Sequence, residues 1–279
     1  MISNNLQSNA ISNTKKSKDL ATHFLNISID DLKAADVLHK NGCYPQAIFY
    51  LQQATEKLIK SYGYEFNLIT DDKNNLYKAH VSNISHGPWL IYSKALEYCN
   101  ILDAKLKREI ISNSPVLEYL FKEFKLGRRN FNNLNKFLLN QKRIKEIKNK
   151  DLPDEIVVKT LKHHYLLKQD VLGLMDTIEF NNKDSLGSKI WKSLGVGLAI
   201  LSAGYQQFYI FPIFSIDISI ILFKHAEMSR YGIEVYPAIK LPNKIYTQDQ
   251  ILVKEFNEIY KIIDNIQKIY LKLIIQNIT

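Results

Sequence analysis

Residues 31–67 read DLKAADVLHKNGCYPQAIFYLQQATEKLIKSYGYEFN, a helix, a tight turn and a second helix. Asn41-Gly42 supplies residues that tolerate positive φ where the first helix must stop, and Pro45 stands where a first helical turn accepts proline. Before the turn, Leu20, Phe24, Ile27, Ala34, Ala35 and Leu38 recur at roughly helical spacing. After it, Leu51, Ala54 and Leu58 make one apolar stripe, with Gln53, Lys57 and Lys60 on an adjoining polar face. Helices joined by so short a turn are expected to lie antiparallel.

The pattern Gly-x-Tyr-x-x-Ala-x-Phe (Gly42, Tyr44, Ala47, Phe49), followed by Gln53-Ala54-x-Glu56-Lys57-x-x-Lys60, resembles the first helical hairpin of the HEPN family of small α-helical bundle domains. A second fragment, His225-Ala-Glu227-Met-Ser-Arg230-Tyr231, resembles the end of that domain, where a closing helix commonly finishes in Arg-Tyr. The resemblance implies an all-α fold, an antiparallel helical bundle with a helical insertion and a long C-terminal helix. On this reading 1–16 is a disordered tail and 17–279 a single HEPN-like domain, with 112–180 an inserted basic helical segment.

A chain of 279 residues can bury a sizeable core without disulfides. Cys43 and Cys99 are far apart, with no CxxC partner or matched His spacing, and read as free thiols of a reducing compartment. The N-terminus is polar, Asn- and Ser-rich, and lacks the apolar core of a signal peptide, so a cytoplasmic location is expected. The net charge of +9 suggests an anionic partner, and its placement is more telling than its size. Residues 122–150 hold ten basic side chains against Glu123 and Glu146, so this segment alone carries +8.

Along the chain, 68–87 reads as a connection, and His80 and His86 lie in it without acid or Cys partners at metal-ligand spacing. Pro88 opens a helix through Trp89, Tyr92, Leu96, Cys99, Leu102 and Leu106, with Trp89 as a core anchor; Pro115 starts another, which Gly127 interrupts. In the basic segment Phe131, Leu134, Phe137 and Leu138 form a buried side, leaving Arg128, Arg129, Lys142, Arg143 and Lys145 as candidates for nucleic-acid phosphates. Pro153 begins a helix expected to reach Phe180, in which His163 and His164 point about 100° apart and read as core or surface residues.

Ser193 to Ile216 contains 24 residues without a formal charge, but Gln206-Gln207, three glycines and Pro212 favour buried bundle helices broken near Pro212 over a membrane span. Gly195-x-Gly197 lacks the preceding strand and third glycine of a dinucleotide loop. A final helix over 248–276 carries a heptad seam of Leu252, Phe256, Ile259, Ile263, Ile266, Tyr270 and Leu273, which can close the bundle or pair two subunits.

Catalytic members of the HEPN family share an Arg and a His four to six residues apart, which serve metal-independent RNA cleavage at a dimer interface. None of Arg108, Arg128, Arg129, Arg143 and Arg230 has a His at that spacing; Lys159 and His164 mimic it, but Lys lacks the bidentate fork. A phosphate loop, an HExxH and a serine elbow are missing too. The expectation is a non-catalytic HEPN-like protein that binds a nucleotide or RNA, without metal or cofactor, as a homodimer in a toxin–antitoxin or phage-defence setting. Its ligand candidates are Gln53, Lys57 and Lys60 with His225 and Arg230, beside Glu227. The alternatives are a metal-independent RNase with a divergent site, or a structural partner of a small nucleotidyltransferase.

Overall fold

The computed structural model describes residues 2–70, 78–81, 84, 89–98, 114–128, 130–148, 152–164, 211–231, 233–235 and 238–276. The hairpin is its frame. Helix α1 (Ile2–Lys40) and helix α2 (Tyr44–Glu65) pack along their lengths. The turn forms as the sequence predicts: Gly42 takes φ +75°, its N–H bonds the His39 carbonyl at 3.0 Å, and the Cys43 N–H reaches the Leu38 carbonyl at 2.9 Å. This is a Schellman closure, with glycine at the left-handed position.

The face of α1 that meets α2 is Ala21, Leu25, Ser28, Leu32 and Ala35, all buried. Of the expected stripe Ala35 belongs to this face, while Leu20, Phe24, Ile27 and Ala34, each one position away from it, are only half-buried. Ala21, Ser28 and Ala35 let the two helices approach closely, with Leu25 and Leu32 filling the seam between them. Ser28 Oγ donates to the Ala54 carbonyl and Ser61 Oγ to the Ala21 carbonyl, each at 2.6 Å, tying the two backbones through the interface. Phe24 stacks outside the seam on Tyr64, with ring centroids 5.6 Å apart.

α2 is surrounded by other helices. Leu51, Ala54 and Leu58 are buried as expected, and so are Gln52, Thr55 and Glu56 on other sides of the helix. The stretch read as plain connection carries a short parallel pair, β1 (Ile69–Thr70) with β2 (Ala79–His80). It presses on α2 at Gly63, where a Cβ would sit 2.7 Å from Ile69 Cδ1.

Helix α3 (Trp89–Tyr98) buries Trp89, whose ring meets Phe223 edge-on at 4.9 Å. Ser114 caps helix α4 (Pro115–Glu123) by accepting from the Leu117 N–H at 3.1 Å. The basic segment forms two helices, α5 (Phe131–Leu139) and α6 (Gln141–Lys148), because Asn140 stops the first and its side chain accepts from the N–H groups of Lys142 and Arg143 at the second. Helix α7 covers 154–164.

Helix α8 (Phe211–Phe223) starts beside Pro212 and is buried continuously from Ser215 to Leu222, as an almost wholly apolar helix must be. Helix α9 (His225–Tyr231) leads to an antiparallel pair, β3 (Ile233–Val235) with β4 (Ala238–Lys240), then helix α10 (Pro242–Ile245). The expected final helix is broken once, at Glu255, into α11 (Ile251–Lys254) and α12 (Phe256–Gln276). Leu252, Phe256, Ile259, Ile263, Ile266 and Tyr270 are buried, and α12 packs on α1 and α2; of the two uses open to the seam, the fold takes the intramolecular one.

The architecture is all-α, with only short strand pairs. Among the described residues no helix is long and apolar enough to cross a membrane. His86, Cys99, Arg108, Arg129 and 165–210, including Gly195-x-Gly197 and the end of the helix expected to reach Phe180, lie outside the described residues.

Candidate functional site

Three polar constellations stand out, and α2 carries the first. Lys60 Nζ donates to Glu56 Oε1 at 2.7 Å, and Gln52 Nε2 donates to Glu56 Oε2 at 3.3 Å. Lys57 Nζ donates to Gln53 Oε1 at 3.1 Å and stands 3.8 Å from Glu56 Oε1. Burial of Glu56 opposes its charge, but the Lys60 hydrogen bond, the two ammonium groups and Gln52 outweigh it and hold the carboxyl below its ordinary range. The row Gln53, Lys57, Lys60 is thus a hydrogen-bonded network, half-buried and already compensated by one carboxylate.

Packing brings the other candidate face beside it. α9 lies on α2, and the Arg230 guanidinium sits 5.3 Å from the centre of the Phe49 ring and 4.9 Å from that of Tyr231. Phe49, Gln53 and Lys57 follow one another at four-residue spacing, so Arg230 heads the same line of α2 that ends in the network. His225 is spent otherwise: its Nδ1 is 2.7 Å from the Tyr246 hydroxyl, whose own ionisation burial pushes well up. Glu227 is exposed on α9.

The second constellation is the basic segment. Phe121, Phe124, Leu134, Phe137, Leu138, Ile144 and Ile147 are buried. Lys122, Lys125, Arg128, Lys136, Lys142 and Lys145 are exposed on the same three short helices and their turns. Arg143 differs from the other candidates, because its guanidinium pairs with Glu146 at 3.0 Å and lies 5.9 Å from the centre of the Phe124 ring. At Arg128 the bond is to the backbone: its carbonyl accepts from Asn133 Nδ2 at 2.9 Å, while the residue is exposed.

The third was not legible as a site. Asp217, with no exposure at all, accepts from Ser114 Oγ at 2.8 and 2.9 Å and faces His164 Nε2 at 3.2 Å. A lone acid in the apolar run FPIFSIDISIILF is the signal that a buried partner must exist, but nothing local names Ser114 or His164. The arrangement is not that of a serine nucleophile. Ser114 and His164 both address the carboxylate, Ser114 is also the cap of α4, and the group is closed to solvent. His164 is only 1% exposed, so the Lys159/His164 pairing that mimics the nuclease spacing has its imidazole turned into the core. His163 is half-buried, and burial with the neighbouring His164 lowers its basicity.

Among the described residues no group of three or more His, Cys, Asp or Glu could hold a metal ion. Cys43 is a free, exposed thiol.

Comparison with curated proteins and with solved structures returns no match. The family model described as HEPN domain matches residues 21–85, which take in the C-terminal half of α1, the Gly42 turn, α2 and the first strand pair. Over that stretch, 65 of the 279 residues, the chain is similar to HEPN domains.

Proposed function

We propose that this protein binds RNA without cleaving it, through phosphate contacts made by the exposed basic face of α4 to α6. The observation that carries the reading is the division of that segment into a buried apolar side and an outer side bearing Lys122, Lys125, Arg128, Lys136, Lys142 and Lys145. Such a face gains affinity by releasing counterions from a phosphate backbone and needs no base-specific contacts. The HEPN match supports a nucleotide- or RNA-related role, and the burial of His164 speaks against cleavage by the Lys159/His164 pair. The reading takes 17–279 as one domain with 112–180 inserted, so the RNA surface belongs to the insertion and not to the matched hairpin.

Incubation of the purified protein with end-labelled RNA, with and without EDTA, tests both halves of the proposal. Intact RNA retained at low salt and released at high salt is the expected result. Shortened products would contradict the non-catalytic half, and failure to retain RNA at low salt would contradict the binding half.

A further inference from the structure

The turn between α1 and α2 holds a reactive pair of residues that the fold uses only as a helix stop. Asn41-Gly42 is the one Asn-Gly step in the sequence. In such a step the glycine nitrogen can attack the asparagine side-chain carbonyl, since no Cβ on the glycine blocks the approach. A succinimide ring closes as the bond from the Gly42 nitrogen to Asn41 Cγ forms and the Cγ–Nδ2 bond breaks. Nδ2 leaves as ammonia, taking up the proton that the glycine nitrogen gives up. Water then opens the ring at either carbonyl, to aspartate on the original backbone or to isoaspartate with the backbone running through Cγ.

Packing does not shield this step. Asn41, Gly42 and Cys43 are all exposed, and a Cβ built on Gly42 would meet no atom within 4 Å. Hydrogen bonds restrain it instead. Asn41 Nδ2 donates to the Val37 carbonyl at 2.7 Å, which turns the side-chain amide back along α1, and the Asn41 N–H shares that acceptor at 3.2 Å. The Gly42 N–H, whose nitrogen would have to become the nucleophile, is given to the His39 carbonyl at 3.0 Å. The ionisable neighbours are engaged elsewhere. His39 Nε2 lies 3.2 Å from the Val253 carbonyl with its ring stacked on Phe256, and Lys40 Nζ donates to Asp36 at 2.6 Å. Removing the Gly42 proton is therefore left to solvent hydroxide.

We propose that Asn41 is a self-modification site gated by the turn. While the turn is closed the residue stays intact; when it opens, Asn41 converts to aspartate and isoaspartate, and neither product restores the closure. A carboxylate only accepts, so the donor to the Val37 carbonyl is lost, and a negative charge now stands at the negative end of the α1 macrodipole. Isoaspartate also adds a methylene to the backbone inside the closed turn. Each conversion thus leaves the hairpin easier to open, and openings are recorded irreversibly. The inference needs neither the basic face nor a ligand.

The test is peptide mapping by mass spectrometry of the full chain, aged in mildly alkaline buffer with and without unfolding urea. Asn41→Gln, whose longer side chain disfavours ring closure, is the control. Conversion at position 41 is expected in urea, at least about tenfold slower in the folded protein because only the open fraction reacts, and absent from Asn41→Gln. Asn41→Asp, which carries one of the products, should exchange the Gly42 and Cys43 amide hydrogens about threefold faster than the wild type, with circular dichroism checking that it folds. Equal conversion rates in buffer and urea overturn the gating, and no conversion in urea overturns the site itself. Unchanged exchange in Asn41→Asp overturns the loss of closure.

Discussion

Glu56 shows how a single side chain changes the meaning of a sequence pattern. As letters, Gln53, Lys57 and Lys60 look like a ligand-facing row; in the fold their charge is answered by one nearly buried carboxylate. Glu56→Gln should cost about 2 kcal/mol, below the full cost of breaking a buried pair because Lys60 keeps some access to water. Its pH dependence follows from the lowered ionisation. The contribution of Glu56 is fully present above the ordinary carboxylate range, about 4.3, and is lost as pH falls through the folded-state value. Asp31 and Glu65, raised chiefly by burial, act in the opposite direction, so the effect is read as a difference. Urea midpoints of wild type and Glu56→Gln should differ at pH 6, and the gap should narrow as pH falls below the ordinary carboxylate range; a constant gap would refute the assignment. Asp217 is the other decisive residue. Asp217→Ala strands the buried Ser114 hydroxyl and His164 and should cost about 3 kcal/mol, with Asp217→Asn milder because Ser114 keeps an acceptor. Urea midpoints of both variants equal to that of the wild type would show that the carboxylate is not what holds this group.

The elements were legible in proportion to how local their causes are. The turn at Gly42 and the start at Pro115 depend on residues within one turn of chain, and the sequence states them. The breaks at Asn140 and Glu255 were missed, since apolar periodicity runs through both while the backbone redirects. The buried face of α1 was misplaced by one position over most of its length, because apolar residues lie side by side round this helix: Leu20 and Phe24 flank the buried Ala21 and Leu25. The β1–β2 pair was missed because only its packing against Gly63 gives it a reason to form. These causes separate two glycines. Gly42→Ala meets no atom within 4 Å but must hold φ +75°, which should cost about 1 kcal/mol. Gly63→Ala must displace Ile69 from the strand pair and should cost about 1–3 kcal/mol. Thermal melts with Gly63→Ala more stable than Gly42→Ala would show that the close approach yields easily.

At the scale of the whole molecule, the hairpin matched by the HEPN model supplies the frame, a buried α8 and a C-terminal seam close the core around it, and the excess charge rides on the outer face of a segment the hairpin does not contain. The two candidate faces on α2 and α9 were each readable as residue lists. Their adjacency was not, because more than 160 positions separate Lys60 from His225 in the chain. The grouping of Ser114, His164 and Asp217 was hidden for the same reason. The proposed function places the weight on the basic face, whose defining property is charge and whose expected signature is salt dependence. The most direct measurement is the affinity for a single-stranded RNA across a series of salt concentrations, for wild type and for Lys125→Glu, Arg128→Glu, Lys142→Glu and Lys145→Glu combined. The account predicts that log affinity falls linearly with log salt in the wild type. In the combined variant the slope should shrink by about 0.7 for each phosphate the protein no longer neutralises. An unchanged slope and affinity in the variant would contradict it.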